Sequence, residues 1–109
     1  MRPFEYVRPA EPEQAVAAVT ADLKTSFLAG GTTQLDLMKD GVLEPERLVD
    51  ITRLPLKGIM HAESSVHVGA LTTMEELAAD ALLRERLPFV REALLFGAST
   101  QLRNMATIG

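Results

Sequence analysis

Ser26-Phe27-Leu28-Ala29-Gly30-Gly31-Thr32-Thr33-Gln34-Leu35-Asp36-Leu37-Met38-Lys39 runs from a short apolar segment, through two glycines and two threonines, into a segment with helical spacing. It reads as strand, tight turn, helix. The start of a helix leaves backbone N–H groups without intrahelical partners and carries partial positive charge. Both favour an anion such as a phosphate, and a glycine lets a ligand approach the backbone closely. The spacing matches neither a P-loop, because no lysine follows the glycines, nor the Gly-x-Gly-x-x-Gly of a dinucleotide turn. The residues by themselves favour, if anything, a plain strand-to-helix connection in which Thr32 or Thr33 serves as N-cap and the glycines serve the turn.

Upstream, Phe4-Glu5-Tyr6-Val7 reads as a short strand stopped by Pro9. Pro12 suits the first turn of a helix, with Glu11 and Glu13 placed well for its dipole. Val16, Val19 and Leu23 recur at helical spacing, with Ala15 and Ala18 beside them, and are expected to face the core. Strand, helix, strand with short connections predicts a parallel pair joined by a right-handed crossover. Downstream, Leu35 and Met38 share a helical face, Gly41 stops that helix, and Leu48-Val49-Asp50-Ile51 forms a third, buried strand.

From about residue 58 the pattern changes. Ile59-Met60-His61-Ala62 and Val66-His67-Val68-Gly69 flank Glu63-Ser64-Ser65 as an antiparallel hairpin. That turn would set His61 opposite His67, and with no third ligand in sight a cross-strand pair is expected rather than a metal site. Thr73 with Glu76 forms a capping box, followed by Met74, Leu77, Ala78, Ala81 and Leu82 on one helical face. Pro88 opens a further helix with Phe89, Ala93 and Phe96 on its apolar side. Gly97-Ala98-Ser99 ends it, Gln101–Asn104 reads as a polar loop, and Met105–Gly109 as the entry to a strand or tight turn. Met38, Met60, Met74 and Met105 are read as core filling, and Asp36 as a solvated helix charge.

A chain of 109 residues with 47% hydrophobic residues has the material for a folded core. It contains no cysteine, so it can supply no disulfide, thiolate metal site or cysteine nucleophile. Eleven basic residues against fifteen acidic ones, scattered and giving a net charge of −4, argue against nucleic acid as a partner. The N-terminus has no signal-type apolar region, and no apolar run reaches membrane-spanning length, so no membrane role and a cytoplasmic location are expected.

Two stretches resemble a known family. Phe27–Lys39 and Gly97-Ala98-Ser99-Thr100-Gln101-Leu102-Arg103-Asn104-Met105-Ala106-Thr107-Ile108-Gly109 look like the FAD-binding subunit of molybdenum hydroxylases, the xanthine dehydrogenase and aldehyde oxidoreductase group. Leu48–Ile51 and Val66–Leu77 match in order and spacing. The resemblance implies an α/β (α+β) fold: the N-terminal part of a vanillyl-alcohol-oxidase-type (PCMH-type) FAD-binding fold. A small parallel βαβ sheet, residues 1–57, is followed by the start of an antiparallel sheet with helices, residues 58–109. FAD would lie between them. It further implies that Ser26, Phe27, Leu28, Ala29, Gly30, Gly31, Thr32, Thr33 and Gln34 wrap the FAD diphosphate, that Thr107 contacts the flavin nucleotide, and that Gly109 belongs to the same turn. Arg103 and Asn104 would sit beside the flavin or satisfy a loop.

By the same resemblance the chain is part of an oxidoreductase. A molybdenum-cofactor subunit hydroxylates substrate, an iron–sulfur subunit passes electrons on, and FAD delivers them to NAD or another acceptor. No catalytic acid, base or nucleophile is expected here. Family members run to roughly two or three times this length, so the chain is expected to be an N-terminal portion, cut inside the second motif and inactive by itself. The alternative from the residues is a non-catalytic α/β module that binds a partner protein without flavin.

Overall fold

The computed structural model describes residues 1–109. Two compact units are present, Met1–Pro55 and Leu56–Gly109. The first contains β1 (Glu5–Val7), α1 (Pro12–Thr20), β2 (Thr25–Leu28), α2 (Thr32–Lys39) and β3 (Arg47–Asp50). Its sheet is wholly parallel with strand order β1-β3-β2. The sequence predicted that the first two strands would pair with each other; instead β3 lies between them. Leu48 and Val49 point to opposite faces of β3 and both are fully buried, so this strand is covered on both sides and takes the centre. Tyr6 and Phe27 are partly exposed and suit the edges.

Helix α1 packs on β2 and β3, and through only part of the predicted face: Ala18 and Val19 are half-buried beside Ala15. Ala15 is its buried residue, whereas Val16 is exposed and Leu23, 102% exposed, lies beyond the helix. The helix ends at Thr20, whose hydroxyl donates to the Val16 carbonyl at 2.9 Å. A small side chain at the contact lets the helix backbone come close to the sheet. Helix α2 ends as its sequence predicted. Gly41, at φ +71°, donates to the Met38 carbonyl, and Val42 donates to that of Leu37, the paired bonds of a Schellman stop. Met38 is buried beneath the helix, while Leu35 on the same side is partly exposed.

The second unit contains β4 (Ile59–His61), β5 (Val66–Val68), α3 (Met74–Ala78), α4 (Ala81–Arg86), α5 (Pro88–Phe96) and α6 (Thr100–Arg103). Strands β4 and β5 are antiparallel as predicted, but one residue out of the expected register: Met60 faces His67 and His61 faces Val66. Ala62 N–H donates to the Ser65 carbonyl at 2.9 Å, leaving a two-residue turn, Glu63-Ser64, instead of three. Because side chains alternate with period two, that difference sends the two histidines to opposite faces. Met60 is 70% exposed and Met105 also lies in solvent, so neither fills the core.

The capping box at Thr73 is present: Glu76 N–H donates to Thr73 Oγ1 and Thr73 N–H to the Glu76 carboxylate. The helix it starts is interrupted, however. Asp80 Oδ1 accepts from Leu83 N–H at 2.8 Å and begins α4, so Leu77, Ala78 and Leu83 are buried while Leu82 is exposed. Pro88 does open α5, but no residue of that helix is fully buried, and Phe96 is 95% exposed. The predicted loop at Gln101–Asn104 is largely α6, because Ser99 Oγ accepts the Leu102 N–H. The end of the chain forms a ladder with residues 70–74 through a Thr73–Thr107 antiparallel bridge.

Candidate functional site

The β2–α2 connection leaves the C-terminal end of the parallel sheet, where ligands of open α/β sheets bind. Gly31 is the N-cap of α2 at φ +78°, a left-handed backbone that disfavours other residues. Thr32 and Thr33 therefore occupy the first helical positions, and neither is the cap. No side chain caps the helix, and its first turn holds no acidic residue. The first turn of α2 thus sets no carboxylate of its own against the opening N–H groups, and the donor set suits a diphosphate. Phe27 and Leu35 add partly exposed apolar surface near this turn. Asp36 is exposed on α2.

The sheet end beside this turn is fixed by a polar cluster that sequence reasoning missed. Asp50 pairs with Leu28 in the β2–β3 ladder, and Ile51 N–H donates to the Leu28 carbonyl at 3.0 Å. Asp50 is only 5% exposed. Its carboxylate accepts from the Tyr6 hydroxyl, from Arg8 Nε at 3.0 Å, and from the Thr52 N–H and hydroxyl at 2.8 and 2.6 Å. Burial alone raises the carboxyl's pKa; the bonds from Thr52, Tyr6 and Arg8 together outweigh it and hold the group below the ordinary carboxylate range. A carboxylate interrupting the apolar run Leu48–Ile51 was the available signal.

A folded-state pKa below the unfolded value contributes stability above the unfolded pKa and loses it as pH falls. Asp50→Asn is accordingly expected to lower the unfolding free energy near neutral pH by about 2 kcal/mol. Part of the parent's decline below about pH 4 should vanish in the variant. Urea unfolding at a series of pH values checks both; an acid limb of equal depth in parent and variant would remove Asp50 as its cause.

In the second unit, Thr107 Oγ1 donates to the Gly109 carbonyl at 3.0 Å. Ile108 N–H donates to the Thr72 carbonyl and Gly109 N–H to that of Ala70, each at 2.9 Å. Arg103, the last residue of α6, is buried against Glu75 and the carbonyls that end α5, and Asn104 is the exposed C-cap of α6. His61 bonds Asp80 through Nε2 at 2.7 Å and His67 contacts Ser65 Oγ at 3.3 Å. The Leu83 N–H and His61 help hold the Asp80 carboxyl below its ordinary range against the opposing effect of burial. No three His, Cys, Asp or Glu residues are grouped so as to hold a metal, and no helix is long and apolar enough to cross a membrane.

A parallel α/β sheet with a glycine-led helix start, followed by an antiparallel hairpin and helices, is the fold of a flavin-binding domain of the predicted type. Residues 2–109 match the family described as the FAD binding domain in molybdopterin dehydrogenase, and the chain belongs to that family. It is 40% identical over 110 residues to the carbon monoxide dehydrogenase medium chain of Hydrogenophaga pseudoflava, an alignment covering 97% of this chain and 38% of the relative. It is 38% identical over 108 residues to the aldehyde oxidoreductase FAD-binding subunit PaoB of Escherichia coli K12, covering 98% and 34% respectively. The cyanide-inactivated Cu,Mo-CO dehydrogenase structure superposes with a TM-score of 0.91 at 38% identity, over 100% of this chain and 40% of that one. The chain thus spans less than two-fifths of the length of the curated relatives it matches.

Proposed function

We propose that this chain supplies the diphosphate-binding part of an FAD site in a molybdenum-containing hydroxylase or dehydrogenase. Ser26 through Gln34 form the cradle, with the opening N–H groups of α2 and the Thr32 and Thr33 hydroxyls as donors, and Thr107 contacts the flavin nucleotide. Residues 1–57 serve as the first FAD-binding subdomain and 58–109 as the start of the second. The observation that carries this reading is the start of α2: a left-handed glycine N-cap, no capping side chain and no first-turn carboxylate. Family membership supports the choice of FAD over other phosphates.

When bound, FAD supplies the redox chemistry, accepting electrons singly or in pairs. The chain's own residues bind and orient it. Its partners are a molybdenum-cofactor subunit that transforms substrate and an iron–sulfur subunit that feeds electrons in; the acceptor is NAD or a comparable carrier, and the complex works in the cytoplasm. Titration with FAD, followed by flavin fluorescence, tests the assignment. Saturable binding that FMN, lacking the diphosphate, does not reproduce is expected; equal binding of FMN and FAD would refute a diphosphate cradle.

A further inference from the structure

We infer that Arg103 is a positioning residue for the segment that carries Thr107; the functional meaning of this rests on the flavin reading above. Arg103 is charged yet only 9% exposed, and charged side chains are buried only when well partnered. Its Nε donates to Glu75 Oε2 at 2.8 Å. One terminal nitrogen donates to the Ala98 carbonyl at 2.8 Å and reaches those of Leu95 and Gly97 at 3.4 Å. The other donates to Thr100 Oγ1 at 3.1 Å. These carbonyls lie where α5 ends and its last C=O groups lack helical donors. Ala98 there sits at φ +60°, a conformation a non-glycine residue keeps only when its surroundings hold it.

A guanidinium can serve all these acceptors because its donors form a fixed planar fork; an ammonium cannot. The same side chain also sets the strand that follows. Glu75 comes directly after Met74, whose N–H donates to the Ala106 carbonyl at 2.9 Å. The Arg103–Glu75 ion pair therefore ties the start of α3 to the residue from which 104–109 departs. Thr107 lies between Ala106 and Ile108, whose ladder bonds hold it opposite Thr73. A slip of one residue in that ladder would turn the Thr107 side chain to the other face. Arg103 thus acts through Thr107, with no contact to the ligand required.

The test is a double-mutant cycle on the full chain, reading FAD affinity by fluorescence titration and amide hydrogen exchange at Ala106, Ile108 and Gly109. Arg103→Met is expected to weaken FAD binding about tenfold, and to change it by no more than about twofold when Thr107 is already alanine. Arg103→Lys should not restore affinity, and the Ile108 and Gly109 amides should exchange faster in both Arg103 variants. Glu75→Gln, a milder break in the same clamp, should shift both readouts in the same direction if Arg103→Met does not fold. Equal losses of affinity with and without Thr107, or unchanged exchange, would overturn the inference. If the parent chain by itself binds no FAD, the exchange rates alone decide whether Arg103 holds the segment, and the flavin reading is judged on a subunit of the relatives' full length.

Discussion

Gly31→Asp is expected to abolish FAD retention while leaving the chain folded. The left-handed φ of +78° costs a non-glycine residue about 1 kcal/mol. A Cβ would lie 3.4 Å from Leu28 Cδ1 and 3.5 Å from Leu35 Cδ1, close but tolerable contacts with side-chain methyl groups. Sterics therefore do not unfold α2. The effect is electrostatic: the new carboxylate occupies the helix start that the diphosphate needs and repels it. A loss of affinity of about a hundredfold or more, roughly 3 kcal/mol, follows. Gly31→Ala keeps the backbone strain without the charge and should lose far less. Releasing flavin by denaturation and comparing it with protein content gives the result. Normal FAD content in Gly31→Asp would sink the cradle assignment.

The largest stability loss is expected at Gly69. A Cβ there would lie 2.3 Å from the Leu56 carbonyl oxygen and 2.8 Å from its carbon, both backbone atoms with little room to yield. That same oxygen accepts the N–H of Leu71, a buried core residue, at 2.9 Å. Gly69→Ala must push the two segments apart and break that bond, a cost of about 3 kcal/mol. Gly41→Ala is the control: its φ of +71° is also left-handed, but nothing lies within 4 Å of its Cβ position. It should cost only about 1 kcal/mol. Urea unfolding midpoints compare the two; equal shifts would mean that the Leu56 carbonyl is not the obstacle.

Much of the fold was legible because its signals are local. Glycines at 30 and 31 after an apolar run, the Thr73–Glu76 box, Pro12 and Pro88 at helix starts and Gly41 at a helix end each act within a few residues. What was not legible depends on what a segment meets. Helical spacing grouped Val16, Val19 and Leu23, but only packing shows that Ala15 is the residue against the sheet. The same spacing ran from Met74 through Leu82 as one helix, whereas the Asp80 carboxylate draws in the Leu83 N–H and divides it. In the hairpin, a turn of two residues in place of three reversed the partners of both histidines. Of the proposed site, the glycine turn was readable in the residue types. The Asp50 cluster beneath it was not, since Tyr6, Arg8 and Thr52 converge on it from separate parts of the chain.

The strand order β1-β3-β2 also governs when the first sheet can assemble. Its central strand is the last of the three in the chain, and every ladder bond in the sheet involves it. As the polypeptide leaves the ribosome, β1 and β2 emerge with no strand to pair with. Pairing can begin only when Arg47–Asp50 follows, because both ladders share that strand. The sheet has no native two-stranded stage made from its first two strands, and the glycine turn gains its platform only once β3 lies beside β2.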